Sequence, residues 1–215
     1  MTEILLSAAR FAPVALERVM PYATEKMRQR LENPPPKMGF TPTHAIIALF
    51  EGRVEIGESG GDYSQNGEVL RKDCERLRLE HPQYHFAESR NAWPLPAVQA
   101  ARLAGLGVIG LNGLFFAPGI GSALTIGAVF TDAPLSDGVD FENEEMGGYC
   151  SPCMECVRRC PTGALTYQGG KRGFDPHKCL AYLRQKENAP LERDGYYGCD
   201  VCQDVCPLNS SLVSS

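Results

Sequence analysis

Residues 150–161 read CSPCMECVRRCP. Cys150, Cys153, Cys156 and Cys160 follow the spacing C-x2-C-x2-C-x3-C, and Pro161 closes the run. Thiolates at that spacing hold a 4Fe–4S cubane, because two-residue gaps let short turns wrap one cage and aim three sulfurs at three irons. A partial echo follows at GCDVCQDVCP, residues 198–207, with Cys199, Cys202, Cys206 and Pro207. The echo lacks its leading cysteine, since Tyr196 stands there. Cys179 is the one upstream candidate left to supply it, and eight of the nine cysteines are then used, four per cluster.

The fourth cysteine of such a run sits too far round to reach its own cage, and in two-cluster ferredoxins it ligates the other one. By that logic Cys150, Cys153 and Cys156 pair with Cys206, while Cys179, Cys199 and Cys202 pair with Cys160. Zinc sites use separated pairs of ligands rather than a triple run closed by Cys-Pro. Disulfides need an oxidising compartment. Without Cys179, the second site holds a 3Fe–4S cluster or stays empty. Cys74 lies in a helical pattern and reads as a small buried apolar residue.

A length of 215 residues suits one medium domain and a small cluster module. We place the boundary between 145 and 146: residues 1–145 as an α+β domain, residues 146–215 as the cluster module. The net charge of −5 argues against a dedicated nucleic-acid binder. No apolar stretch approaches the 18 residues of a membrane-crossing helix, and the N-terminus has no basic start before an apolar run. Oxidant-sensitive cubanes point to the cytoplasm.

Along the first domain, Ile4, Leu5, Ala8, Ala12, Leu16, Val19 and Met20 predict helical structure over 3–31, broken by Pro13 and Pro21 into short pieces. THAIIALF, residues 43–50, predicts a buried strand. Residues 57–61 predict a turn, 65–80 an amphipathic helix, 83–87 a strand, 96–106 an alanine-rich helix, and 114–117 and 123–130 two more strands. Residues 132–148 read as an acidic linker. Gly105, Gly107 and Gly110 form GxGxxG, but this run follows a helix and leads into a strand, the reverse of a dinucleotide fold. His44, His81, His85 and His177 show no ligand spacing. Tyr63 and Tyr149 can donate protons but serve packing equally well.

Read together, AARLAGLGVIGLNGLFFAPGIGSALTIGAVFTDAPL (100–135), CSPCMECVRRCPTGAL, CLAYL (179–183) and YGCDVCQDVCPLN (197–209) resemble the epoxyqueuosine reductases and, more distantly, the reductive dehalogenases. GGDYSQNGEVLRKDCERL (60–77) is a weaker echo. The resemblance implies a nitroreductase-like, corrinoid-binding-type domain joined to a C-terminal two-cluster bacterial ferredoxin-like module. Electrons would pass through two 4Fe–4S clusters to a corrinoid (cobalamin), drawn from a low-potential donor such as ferredoxin or flavodoxin, and would reduce an unknown small substrate. Gly105, Gly107, Gly110, Asn112 and Gly113 are the expected cofactor-binding backbone. The family's aspartate proton donor aligns with Asn91, an amide that delivers no proton at neutral pH. Glu88 is the substitute candidate, and the family's histidine after Asp-Tyr is Ser64. The chain ends soon after Pro207, so tRNA is not an expected partner. A non-catalytic electron-transfer or corrinoid-handling protein is the alternative, and Asn91 and Ser64 favour it.

Overall fold

A computed structural model of the chain describes residues 6–35, 38–52, 56–57, 60–61, 64–89, 92–137, 150, 153–182 and 199–210. They group into two compact units. The first draws on Met1–Gly52, Tyr63–Gly107 and Leu124–Glu142, the second on Arg53–Asp62, Val108–Ala123 and Asn143–Ser215. Residues 108–123 therefore belong with the cysteine-bearing unit, although they lie well before the boundary expected at 145.

The first unit is built on a four-stranded antiparallel sheet. Its strands are β1 (Arg10–Ala15), β2 (His44–Glu51), β5 (Phe86–Ser89) and β8 (Leu124–Thr131), in the order β1-β2-β8-β5. β2 and β8 occupy the centre, paired from His44 opposite Thr131 to Glu51 opposite Leu124. Residues 45–50 are all buried, as a run without alternation requires when both faces are covered. In the second unit, β3 (Ile56–Gly57) and β4 (Gly60–Gly61) pair with each other over the stretch expected to turn.

The N-terminal segment departs from the helical expectation. Residues 10–15 form β1, an edge strand, with Pro13 opposite Ile46. Proline has no N–H for a sheet ladder, so an edge strand tolerates it where a central strand does not. The helical part is reduced to α1 (Leu16–Val19), a 3-10 turn at Met20–Tyr22 and α2 (Glu25–Glu32), where Thr24 caps by accepting from the Met27 N–H.

α3 (Ser64–Glu80) packs on β5 and β8. Leu70, Cys74 and Leu77 fall at i, i+4 and i+7 and form the stripe that faces the core of Ile46, Ala48, Phe86 and Val129. Burial pushes the Cys74 thiol up to about 12, with the Glu88 carboxylate adding to it, so this cysteine is inert packing. Gly127 marks the contact with α3: a Cβ there would lie 2.7 Å from Leu70 Cδ1. α4 (Ala97–Leu103) also rests on β8. Asp132, at the end of β8, accepts from the His85 backbone N–H at 2.8 Å and faces its ring Nδ1 at 2.7 Å. Burial opposes ionisation of Asp132, yet the His85 contacts hold its carboxyl below the usual range. Asp137 accepts from the Ala15 N–H and from Arg18. The rest of the expected acidic linker, residues 138–148, lies outside the described residues. Among the described residues no helix is long and apolar enough to cross a membrane.

Leu77 and Leu79 separate core from pattern. Leu77 is fully buried, whereas Leu79 is 83% exposed despite its apolar type. Leu77→Ala should cost about 2–5 kcal/mol of unfolding free energy, from lost transfer and a cavity. Leu79→Ala should stay within about 0.5 kcal/mol. Urea titrations followed by far-UV circular dichroism check both, and comparable losses would contradict this packing.

Candidate metal centre

Among its described residues the second unit carries little regular structure, so its cysteines are placed mainly by turns. Cys153 donates its N–H to the Cys150 carbonyl at 2.9 Å, closing the first turn. Met154 then adopts φ +52°, a left-handed conformation that reverses the chain into α5 (Glu155–Arg158), which carries Cys156. The Arg158 guanidinium returns to the Cys153 carbonyl and to Glu155, bracing the loop. The Cys160 N–H reaches the Val157 carbonyl at 3.4 Å, and Pro161 follows.

The echo repeats the device. The helical turn Val201–Asp204 carries Cys202, and the Cys206 N–H meets the Gln203 carbonyl at 3.2 Å. Pro207 then opens the short helix Pro207–Ser210, a position where its missing N–H costs nothing. Cys179 follows a 3-10 turn at Pro176–Lys178, whose first N–H is capped by Asp175. A hairpin that the sequence did not suggest, β9 (Leu165–Gln168) and β10 (Lys171–Phe174), connects these segments through Gly169 and Gly170, both at positive φ. α5 packs against β9 and against the Val201–Asp204 turn.

Cys150, Cys153, Cys156 and Cys206 line one open pocket. Leu111, Asn112 and Phe116 complete its wall, with Met154, Glu155, Pro207 and Leu208. The electrostatic neighbours divide the thiols in the same way. Burial raises the Cys156 thiol, and Cys150, Cys206 and Cys153 raise it further. The Cys206 thiol is raised by burial and by Cys150 and Cys153. Burial pushes Cys202 up to about 12, with Cys199, Cys156, Cys179 and Cys160 adding to it. So Cys160, Cys179 and Cys199 surround Cys202, and Cys156 lies at the seam between the two sets. Cys160 differs. Burial raises it, but donors at Leu165, Thr162 and Ala164 outweigh that and hold its thiol below the usual value.

Among the described residues no group of three or more Cys, His, Asp or Glu side chains is placed to hold a single metal ion. A cubane makes a different demand, since its thiolates surround a cage and each meets its own iron.

The other expected site residues lie elsewhere. Asn91 is outside the described residues, as are Tyr63 and Tyr149. Glu88 is an exposed residue of β5, opposite Val129, and its carboxylate faces Cys74. Trp93 is 43% exposed, with the Lys26 ammonium 5.9 Å from its ring centroid. His177 meets the Tyr182 ring edge-on, and His85 stacks on Phe40.

The glycine segment is explained largely by internal packing. β6 (Val108–Ile109) and β7 (Phe115–Phe116) pair as a hairpin, and β6 is a strand the sequence did not suggest. At its end the Gly113 N–H bonds the Gly110 carbonyl, and the Gly110 N–H bonds the Leu114 carbonyl. A Cβ on Gly110 would lie 2.5 Å from the Phe116 ring, so only glycine fits. Gly105 and Gly113 take positive φ at turns. Asn112 is buried and hydrogen-bonded. Farther along, Asn209 accepts from the Ser122 N–H at 2.7 Å and donates to the Ser122 hydroxyl and the Gln203 carbonyl. Gln203 donates to the Ser122 carbonyl. These polar ties fasten residues 110–122 to the cysteine loops. Sequence spacing carried no sign of the ties that cross between the two segments, because each joins positions about 80 or more apart.

Comparisons with known proteins agree with this geometry. Residues 149–209 match the model of a 4Fe–4S double cluster binding domain. The chain is 33% identical over 161 residues to an epoxyqueuosine reductase of Synechococcus sp. (strain RCC307), covering 73% of this chain and 48% of that protein. The structure of epoxyqueuosine reductase from Streptococcus thermophilus superposes with a TM-score of 0.63 at 19% identity, covering 94% of this chain and 63% of that one. A reductive dehalogenase, described as suggesting a mechanism for B12-dependent dehalogenation, superposes with a TM-score of 0.60 at 19% identity, covering 94% and 30%. The fold is thus the mixed α+β arrangement of those proteins, with the double-cluster domain in the C-terminal part. The chain spans about half the length of the curated relatives it matches. With its double-cluster cysteines and its sequence similarity taken together, the chain is an epoxyqueuosine reductase-like iron–sulfur protein with a 4Fe–4S double-cluster domain.

Proposed function

We propose that the protein is an oxidoreductase that passes single electrons through two 4Fe–4S clusters to a corrinoid, for reduction of a small substrate. The observation that carries the relay is the pocket lined by Cys150, Cys153, Cys156 and Cys206, three cysteines from the first run and one from the echo. Those four would hold one cubane. Cys160, Cys179, Cys199 and Cys202 would hold the other, with Cys179 supplying the thiolate the echo lacks. The low-potential donor would be a ferredoxin or flavodoxin, and the compartment the cytoplasm.

The corrinoid is supported by the B12 chemistry named for one structural relative. Gly110 and Asn112 do not fit a role in holding it. Gly110 is closed off by the Phe116 ring, and the Asn112 amide is committed to backbone groups. When bound, a corrinoid would supply the reducing metal chemistry, and the protein would supply electrons, orientation and exclusion of water. The chain's own part is the relay. Buried thiols resist ionisation without metal, and iron converts them to thiolates in a largely desolvated seat. Backbone donors around Cys160 favour negative charge on that sulfur, which makes electron uptake at its cluster easier.

Anaerobic protein should contain about eight iron and about eight sulfide per chain, four of each per cubane. Cys156→Ala and Cys206→Ala should damage the same cluster, and Cys160→Ala the other, as read by electron paramagnetic resonance. Identical spectra for the Cys156 and Cys160 variants would contradict the crossed ligand sets. Cobalamin added to the loaded protein should change the visible spectrum and raise thermal stability, because a ligand that binds only the folded state stabilises it. No change at excess ligand would remove the corrinoid and leave the relay.

Asn91 adds a chemical limit. A carboxylic acid can be tuned to donate a proton by burial, and an amide cannot. The wild-type chain should show no epoxyqueuosine reduction. Wild-type turnover abolished by Glu88→Gln would place the donor at Glu88. Turnover insensitive to both residues would end the proton-donor argument.

A further inference from the structure

From its position, we infer that Asn112 is a positioning residue shared by both iron–sulfur centres, one that sets their reduction potentials together. The inference rests on the proposed assignment of the cysteines to two clusters. Asn112 is buried, and the residue forms part of the wall of the pocket lined by Cys150, Cys153, Cys156 and Cys206. The same side chain donates from Nδ2 to the carbonyl of Cys202, a member of the other set, at 3.1 Å. Its Oδ1 accepts from the Leu114 N–H at 3.1 Å. The two partners fix the amide's orientation, since a backbone N–H can only donate and a carbonyl can only accept.

The loop that presents Asn112 is itself locked. Arg172 donates from Nη1 to the Gly110 carbonyl at 3.0 Å. A Cβ on Gly110 would come within 2.8 Å of Asn112 Oδ1, so the side chain keeps this orientation only beside glycine. The Gly113 N–H closes the turn onto the Gly110 carbonyl at 2.9 Å. Held this way, the amide presents its positive N–H end toward the Cys202 backbone, while the residue borders the other cluster's seat. Cluster potentials respond to hydrogen bonds, local charge and solvent exposure. Charge interactions in a largely desolvated seat are screened far less than in water. A charge at Asn112 therefore acts on both centres.

The test is Asn112→Asp in the full chain, loaded with clusters anaerobically. The midpoint potential of each cluster is followed by electron paramagnetic resonance at poised potentials. Burial and the facing Cys202 carbonyl raise the carboxyl of Asn112→Asp, so the potentials are read at rising pH until it is ionised. Asn112→Asp then differs from the wild type by one negative charge, with almost no change in shape. Both potentials should fall in the variant, since each reduction then adds an electron near a carboxylate. Gln168→Glu, on an exposed position of β9, places the same charge elsewhere in the unit and should move neither.

If Asn112→Asp fails to load, Asn112→Ser decides the matter, because it removes the amide donor without adding charge. It should lower the potential of the cluster held by Cys202. Unshifted potentials in variants that retain full iron would overturn the inference, as would a shift in Asn112→Asp confined to one cluster. Wild-type protein that assembles only one cluster would overturn the two-cluster reading itself, so the two failures are distinguishable.

Discussion

A cubane has four corners, and a C-x2-C-x2-C run can reach only three of them. That shortfall governs the second unit. In the proposed assignment each cage borrows its last thiolate from a distant part of the chain, so neither cysteine run forms a centre by itself. The structure meets the demand by folding two short helical turns, at Glu155–Arg158 and Val201–Asp204, against each other. Cys206 then joins Cys150, Cys153 and Cys156 at one pocket, while Cys160 falls among the neighbours of Cys202. The proline after each fourth cysteine fixes φ where the chain must leave the cage. A unit held so largely by turns has few other ways to keep eight sulfurs in place.

Borrowing across the chain needs scaffolding from outside the cysteine segments. Residues 108–123 provide it. Ser122 is gripped through its N–H, hydroxyl and carbonyl by Asn209 and Gln203, which flank Cys206 and follow Cys202. Asn112 holds the Cys202 carbonyl itself. Buried polar groups that are fully paired rigidify a site, whereas a half-satisfied network destabilises it. This division of labour explains why 108–123 groups with the cysteines rather than with the sheet that surrounds it in sequence. A boundary drawn by composition, at the acidic stretch near 145, could not register ties of this kind.

What the sequence made legible follows the range of each signal. The cysteine spacing is local chemistry, and it was readable residue by residue. The buried strand at 44–51 and the helix at 64–80 were readable because an unbroken apolar run and a stripe at i, i+4 and i+7 each encode their own burial. β1 was misread because Ala8, Ala12, Leu16 and Val19 also fit a helical period, and the pairing of Pro13 with Ile46 is visible only once a partner strand exists. β6 and the hairpin at 165–174 escape the sequence for the same reason, as strands of two to four residues carry almost no period. The glycines at 105–113 suggested a cofactor, and for Gly110 the physical cause is a neighbour: the Phe116 ring occupies the space a Cβ would need.

The same comparison bears on how the redox chemistry divides between chain and cofactor. Cys74 shows what burial does to a thiol left alone: it is pushed up to about 12 and takes no part. Cys202 is pushed equally high, yet it stands among four other thiols. The difference is not acidity but company, since several thiols brought together can lose their protons to iron, whose positive charge stabilises the thiolates. Cys160 lies at the other extreme, its sulfur favoured as an anion by the N–H groups of 162–165. If Cys160 and Cys202 serve one cage, its sulfurs sit in unlike surroundings, one beside N–H donors and one buried among other thiols.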